Sequence, residues 1–152
     1  MAGELWLIDT NVILRWIQPE DRQFAVARSA IGKLEQIGSI PCYTSQNLGE
    51  FWNALTRPLS RNGYGATPQE AGRRAETIES RFRLLPDDLA VHFRWRRLLV
   101  DYEVSGVQVH DARLVAAMIV HGVGRILTFN ARDFARFIGI DAIHPADLDR
   151  IQ

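Results

Sequence analysis

The chain has 152 residues, of which 47% are apolar, and 18 Lys and Arg side chains balance 18 Asp and Glu side chains. This length and composition fit one globular domain over residues 1–152 and argue against intrinsic disorder. The single cysteine excludes an intramolecular disulfide, and because the chain has neither a long apolar run nor a basic leader, we expect a cytoplasmic protein without a membrane span.

The first third of the chain alternates between short apolar runs and amphipathic segments. Leu5–Ile8 is a continuous apolar run, typical of a strand buried on both faces of a parallel sheet. One of the polar residues 9–11 is expected to cap the helix that follows. The next predicted elements are a helix over 21–37, a strand over Ile40–Tyr43 and a helix that begins at Ser45 and ends before Pro58.

The rest of the chain continues this alternation after a loop rich in Gly and Pro over 57–66. A capping box at 67–70 starts a helix, and Asp87 or Asp88 caps another. The other predicted elements are a brief strand at 84–86, a helix after Gly106, a strand over 125–128, a turn or short helix over 130–134 and a strand over 140–143. Alternating strands and helices predict an α/β fold with a mostly parallel sheet.

Four acids fall at strand ends or early in helices, namely Asp9, Glu50, Asp111 and Asp133. Each has an ordinary structural explanation: a helix cap for Asp9, a favourable helix-dipole position for Asp111, exposure opposite an apolar stripe for Glu50 and a turn for Asp133. If the fold brings them together, several carboxylates within about 4–6 Å repel one another. A hard divalent cation removes that conflict and can also orient a phosphodiester.

Four segments carry these acids in a recognisable order. They read LIDTNV over 7–12, SQNLGEFWN over 45–53, HDA over 110–112 and LTFNARDF over 127–134. With these segments the sequence closely resembles a PIN-domain ribonuclease, in particular a VapC-type toxin of a toxin–antitoxin pair. The resemblance covers the chain nearly end to end and implies a three-layer α/β/α domain with a central, mostly parallel sheet.

The resemblance also implies RNA hydrolysis by a water that Mg²⁺ or Mn²⁺ activates in an acidic pocket. Asp9 and Asp111 would be the firmest ligands, Glu50 would act directly or through a water, and Asp133 would help at a second ion. Residues implied to orient ligands or the scissile phosphate are Asn11, Ser45, Thr128 and Asn130. Many relatives carry an acid in place of Asn130, so a second ion would be held less tightly here. The implied partners are RNA, a small antitoxin and a second copy of the chain.

Arginine makes up 17 of the 18 basic residues, and nine arginines but only five acids lie between residues 57 and 97. The predicted RNA contacts from this region are Arg73, Arg74, Arg81, Arg94 and Arg97. The alternative is a set of solvated helix faces, with some arginines paired to Glu76, Glu79 or Asp88. Tyr64 in the Gly-rich loop is either a stacking surface for an unpaired base or, as the favoured alternative, a local packing residue.

For two other classes of protein, this chain lacks a residue that the class requires, whereas alternatives within the PIN family remain. A haloacid-dehalogenase-type phosphatase needs an acid two residues after Asp9, where this chain has Asn11. A response-regulator receiver needs a lysine late in the chain, and the only lysine is Lys33. Zinc-site spacing is absent, and Cys42 in an apolar run is expected in the core. A housekeeping PIN nuclease and a catalytically silent PIN scaffold remain as alternatives to a toxin.

Overall fold

Five short strands form one parallel sheet in the computed structural model, which describes residues 3–151, so both ends of the predicted 1–152 domain lie outside this range. The strands are β1 (Leu5–Ile8), β2 (Ile40–Tyr43), β3 (Arg83–Leu84), β4 (Arg125–Leu127) and β5 (Asp141–Ile143). Their order across the sheet is β3-β2-β1-β4-β5, and each neighbouring pair is parallel. The carboxyl ends of all five strands therefore meet at one edge of the sheet.

Six α-helices cover the two faces of this sheet within residues 3–151. They are α1 (Thr10–Ile17), α2 (Phe24–Gln36), α3 (Ser45–Thr56), α4 (Pro68–Arg81), α5 (Leu89–Asp101) and α6 (Gln108–Val120). Short 3-10 turns lie at Leu59–Arg61, Ala131–Phe134 and Pro145–Arg150. None of the helices in this part of the chain combines the length and the apolar character needed to cross a bilayer.

The central strand β1 buries side chains on both faces, as its continuous apolar run predicts. Trp6 and Ile8 belong to a core shared with α1, α2, α3 and α4, whereas Leu7 belongs to a core shared with α5 and α6. This division confirms the predicted three-layer α/β/α fold. Cys42 is buried in β2, as predicted.

Several local features differ from the sequence prediction. The brief strand predicted at 84–86 is β3 at Arg83–Leu84. The helix predicted over 21–37 begins only at Phe24, because the Asp21 carboxylate accepts a hydrogen bond from the Gln23 backbone N–H in a preceding turn. Trp52, predicted in the apolar stripe of α3, is 37% exposed and stands beside Gly72 at the edge of the α3–α4 contact. At the predicted 67–70 capping box, the Thr67 hydroxyl caps α4. The Glu70 carboxylate accepts instead from Arg73 and Arg74.

Candidate active site

The site lies at the carboxyl edge of the sheet, where β1 and β4 end side by side. Asp9 follows β1 directly and Thr128 follows β4. The Asp9 backbone N–H donates to the Leu127 carbonyl at 3.0 Å, which extends the parallel ladder by one residue. The sheet order therefore places two polar residues, 119 positions apart in the chain, in direct contact.

The Asp9 carboxylate is buried and accepts three hydrogen bonds. Its Oδ1 accepts from the Thr10 backbone N–H at 2.8 Å, which makes Asp9 the cap of α1. Its Oδ2 accepts from Thr128 Oγ1 at 2.8 Å and from Asn11 Nδ2 at 3.3 Å. Burial raises the pKa of Asp9 to about 6, against the lowering effect of the Thr128 and Thr10 hydrogen bonds, and the charges of Asp111 and Glu50 raise it further.

Asn11 and Thr128 fix the orientation of this carboxylate. The Asn11 side chain accepts from the Phe129 backbone N–H at 3.1 Å and donates to Thr128 Oγ1 at 3.3 Å. Thr128 Oγ1 also accepts from the Asn130 backbone N–H at 3.0 Å. The loop after β4 is thereby tied to the start of α1. The Asn130 side chain in this loop is exposed at the rim of the site.

Glu50 reaches the site from the exposed face of α3. Its two carboxylate oxygens accept from Gln46 Nε2 at 2.8 Å and from Thr10 Oγ1 at 3.5 Å. Gln46 Nε2 also donates to the His110 carbonyl at 2.9 Å, so it links α3 to the start of α6. The buried Asn47 donates to Thr10 Oγ1 at 3.1 Å and aligns that hydroxyl.

Asp111 and Asp133 complete the acidic cluster. Asp111 lies in the first turn of α6 and is half-buried, whereas Asp133 is exposed in the 3-10 turn after β4. The pKa of Asp111 is raised to about 6, first by burial and then by the negative charges of Asp133 and Glu50. His110 and Arg136 act in the opposite direction on this pKa.

All four acids line one open groove of about 360 Å³ at the sheet edge. Asn11 and Asn130 also line it, while Thr128 lies beneath the groove with its side chain bound to Asp9. Ser45, predicted to orient a ligand, is exposed at the start of α3 and is not among the residues that line the groove within the described chain. The cap of α3 is Thr44, which pairs reciprocally with Asn47.

The groove contains residues that the sequence reasoning missed. Asn53 and Ala54 on α3, and Arg57 directly after its last residue, lie three, four and seven positions after Glu50 and line the same groove. That helical spacing was a usable signal once Glu50 was assigned to the site. Arg57 is the arginine that lines the groove within residues 3–151, and its Nε is buried without an acceptor in that range.

The five arginines predicted to bind RNA lie on α4 and α5, outside the lining of the groove. Four of them have a carboxylate partner, and these partners differ from the predicted Glu76, Glu79 and Asp88. The ion pairs are Arg73 and Arg74 with Glu70, Arg81 with Glu35 at 2.9 Å, and Arg97 with Asp101 at 3.9 Å. Arg94 is exposed on α5.

The donor set of the groove suits a hard divalent cation. Its acids offer only oxygen ligands, and two of them, Asp9 and Asp111, resist ionisation because of burial and neighbouring negative charge. Within residues 3–151, however, no three Asp, Glu, His or Cys side chains are arranged to hold an ion directly. These residues therefore fit an ion that keeps several waters, as Mg²⁺ does, better than one enclosed by protein ligands.

The fold and site together define a three-layer α/β domain with an acidic groove at the carboxyl edge of a parallel sheet. The model of the PIN domain family matches residues 6–139, and the chain belongs to that family. No curated protein matches the chain.

Solved structures similar to this chain include proteins of toxin–antitoxin systems. VapBC2 from Rickettsia felis, in complex with a promoter DNA fragment, has a TM-score of 0.71 to this chain at 13% sequence identity. The alignment covers 92% of this chain and 98% of that one. A toxin–antitoxin complex from Klebsiella pneumoniae has a TM-score of 0.64 at 21% identity, over 92% and 97%. VapC20 from Mycobacterium tuberculosis, a sarcin-ricin loop cleaving toxin, has a TM-score of 0.62 at 16% identity, over 90% and 98%.

Proposed function

We propose that this PIN-domain protein is a metal-dependent endoribonuclease of the VapC toxin type, which hydrolyses RNA phosphodiester bonds. The observation that carries the proposal is the convergence of Asp9, Glu50, Asp111 and Asp133 on one open groove. Burial first, and the neighbouring carboxylates second, raise the pKa of Asp9 and of Asp111 to about 6, so both groups resist ionisation unless a cation offsets their charge. Such a site is far more stable with Mg²⁺ or Mn²⁺ bound.

Asp9 and Asp111 would be the main ligands of the ion, and Glu50 and Asp133 would act on it directly or through bound water. When bound, the ion supplies a Lewis acid that orients the phosphodiester and activates a water for attack. Asn11 and Thr128 keep the Asp9 carboxylate in place through hydrogen bonds of 3.3 and 2.8 Å. Asn130 at the rim is a neutral amide, which favours one tightly bound ion over two.

We assign the nearest phosphate contact to Arg57. Its position in the groove supports a charge-assisted hydrogen bond from its guanidinium group to the RNA backbone. Arg73, Arg74, Arg81, Arg94 and Arg97 would supply weaker, salt-sensitive attraction for RNA that extends beyond the groove. The carboxylate partners of four of them reduce that contribution.

The proposed partners are a small antitoxin and a second copy of the chain, and the proposed location is the cytoplasm. A groove of this charge fits a basic antitoxin segment, and the toxin–antitoxin complexes among the structures of this fold support such a partner. Leu89, Phe93 and Val100 are more than half exposed on α5, which supports an apolar contact between two copies.

An antitoxin-like basic peptide should bind wild type with a steeper salt dependence than the Asp9→Asn/Asp111→Asn variant. Equal salt dependence would contradict occupation of the groove.

The alternative is a PIN-fold protein without a toxin role. A housekeeping nuclease would share the acidic groove, whereas a catalytically silent scaffold would bind partners without cleaving RNA. A toxin should arrest growth when it is expressed, and co-expression of a small protein encoded beside it should reverse the arrest. A housekeeping nuclease should show neither effect.

The activity itself is tested on a mixed RNA pool. Wild type should cleave the pool with Mg²⁺ or Mn²⁺ and stop when the ion is chelated, and Asp9→Asn should lose most of the activity. Asp149→Asn, an exposed acid outside the groove, is the matched control and should cleave like wild type. Cleavage that persists in excess chelator, or equally in Asp9→Asn, would remove the proposal.

A further inference from the structure

A second polar cleft of about 360 Å³ lies next to the acidic groove. Its walls include Arg15 at the end of α1, the turn before α2 with Asp21, Arg22 and Gln23, and Tyr64 from the Gly-rich loop. The volume falls within the roughly 300–1,000 Å³ that small-ligand sites occupy. None of these residues belongs to the acidic cluster, so the proposed hydrolysis does not account for the cleft.

Both walls of the cleft are joined to walls of the acidic groove. Arg15 follows Leu14, which lines the groove, and its Nη1 donates to the carbonyl of the groove residue Asn11 at 2.8 Å. On the other wall, the Tyr64 backbone N–H donates to the carbonyl of Ala54, another groove residue, at 3.1 Å. The cleft and the groove therefore adjoin each other at two points, one on α1 and one between α3 and the Gly-rich loop.

Backbone hydrogen bonds tie the loop around Tyr64 to α3 and to the residue that follows it. Gly65 N–H donates to the Arg57 carbonyl at 2.9 Å, and Ala66 N–H donates to the Leu55 carbonyl at 2.8 Å. Gly63 sits so close to Arg57 that a Cβ would lie 2.0 Å from the Arg57 carbonyl oxygen, so only glycine fits there. Tyr64 is 41% exposed and lines the cleft, so part of its side chain is open to a ligand there.

The charges of the cleft favour a neutral, flat, polar ligand over a phosphate. Arg15 and Arg22 face Glu20 and Asp21 in the same lining, and Arg15 lies 4.0 Å from Asp21 and over the Phe129 ring. The Gln23 Oε1 atom is buried and has no donor within residues 3–151. Rotation of this side chain would turn a free acceptor towards a ligand that carries N–H groups.

We propose that this cleft binds an unpaired nucleobase of the RNA next to the scissile phosphate, with Tyr64 stacking on the base and Gln23 accepting from its edge. This inference rests on the proposed function for the identity of the polymer. An aromatic face binds any base, whereas an amide acceptor beside arginine donors discriminates between base edges. The cleft would therefore set the nucleotide preference of cleavage, while the acidic groove would carry out the reaction.

The test measures binding of fluorescein-labelled 2′-O-methyl RNA six-mers of A, C, G or U to the full chain by fluorescence anisotropy with Mg²⁺. Tyr64→Ala should raise the Kd of the preferred six-mer roughly 5- to 150-fold, the loss expected for one stacked base. Tyr64→Phe keeps the ring and should stay within about threefold of wild type. Ile138→Ala removes an exposed apolar side chain outside the groove and the cleft and serves as the control. Gln23→Leu should reduce the difference in Kd between the four six-mers.

Two assays separate this inference from the proposed function. If wild type cleaves the RNA pool and Tyr64→Ala keeps the same affinities and the same distribution of cut sites, the cleft assignment is overturned and the nuclease proposal stands. The assignment also fails if wild type binds none of the six-mers. If the pool remains uncut while binding depends on the Tyr64 ring, the cleft is a nucleobase site and the nuclease proposal fails. Unchanged thermal unfolding of Tyr64→Ala shows that a loss of binding is local.

Discussion

The Asp9 carboxylate combines burial with three hydrogen bonds, and these act on its charge in opposite directions. Burial favours the neutral acid, whereas hydrogen bonds from Thr10 and Thr128 favour the carboxylate. Burial prevails, so the pKa is raised from 3.8 to about 6. A capping aspartate alone needs none of this burial, since a helix cap at the surface is equally effective. The proposed role of Asp9 as a metal ligand would account for this burial.

This raised pKa predicts a specific dependence of stability on pH. Because the folded state binds the Asp9 proton more tightly than the unfolded state, ionisation destabilises the fold progressively between pH 4 and pH 6 and fully above it. With divalent ions chelated, the free energy of unfolding of Asp9→Asn, measured relative to wild type, should rise by roughly 3 kcal/mol from pH 4 to pH 8. Urea unfolding at both pH values measures this rise. Any structural cost of the amide is the same at both pH values and cancels when the two differences are compared. A pH-independent difference would show that the carboxylate is solvated.

Arg57 and Arg73 offer a matched comparison of two arginines. Arg57 lines the groove, whereas Arg73 is exposed on α4 and paired with Glu70. Arg57→Ala should lower kcat/KM for RNA roughly 10- to 100-fold, as expected for loss of a charge-assisted hydrogen bond to phosphate. Arg73→Ala should stay within about threefold of wild type, because an exposed paired charge contributes little. A larger loss for Arg73 than for Arg57 would place the RNA path over α4.

Most elements were predictable from the sequence because their signals are local. The strand Leu5–Ile8 has an uninterrupted apolar run, and α5 has an aspartate cap at Asp88. The start of α2 was predicted three residues early, because apolar periodicity does not register the turn that Asp21 closes. The prediction that Trp52 packs in the core is wrong, because helical spacing does not show how far the neighbouring helix α4 covers that side chain.

The N-terminus of α3 illustrates a feature that positions the site but has no obvious sequence signal. Asn47 is fully buried, accepts from the Thr44 backbone and hydroxyl, and donates to Thr10 Oγ1. Asn47→Ala should reduce the free energy of unfolding by roughly 2–4 kcal/mol, because the Asn47 half of the capping box is lost and the buried Thr44 backbone N–H is left unpaired. Asn53→Ala makes the same chemical change at an exposed position of α3 and should stay within about 0.5 kcal/mol of wild type. Urea unfolding compares the two variants.

At the scale of the whole molecule, sheet order decides which acids meet. Asp9 comes from the strand at the centre of the sheet, Asp133 from the turn after the neighbouring β4, and Asp111 from a helix on the other face. Composition and periodicity could identify each acid but not their convergence, since that depends on contacts between residues more than a hundred positions apart. The family resemblance supplied the convergence, and the fold places all four acids in one groove.

A groove of this charge predicts that divalent ions stabilise the whole domain. Mn²⁺ at 100 times its Kd should add about 2.7 kcal/mol to the free energy of unfolding at pH 7.5. Asp9→Asn/Asp111→Asn should lose most of this gain, whereas Asp149→Asn should retain it. Thermal unfolding with and without the ion measures the effect. Equal stabilisation of all three proteins would indicate binding outside the groove.

The most direct test of the central claim is a crystal structure of wild type grown with Mn²⁺, examined by anomalous scattering. We expect one well-occupied peak within ligand distance, about 2.0–2.6 Å, of Asp9 or Asp111 oxygens, with waters completing the coordination sphere. A second, weaker peak beside Asp133 agrees with the neutral amide at Asn130. A groove without an anomalous peak at saturating Mn²⁺, or peaks only on exposed acids elsewhere, would contradict the account.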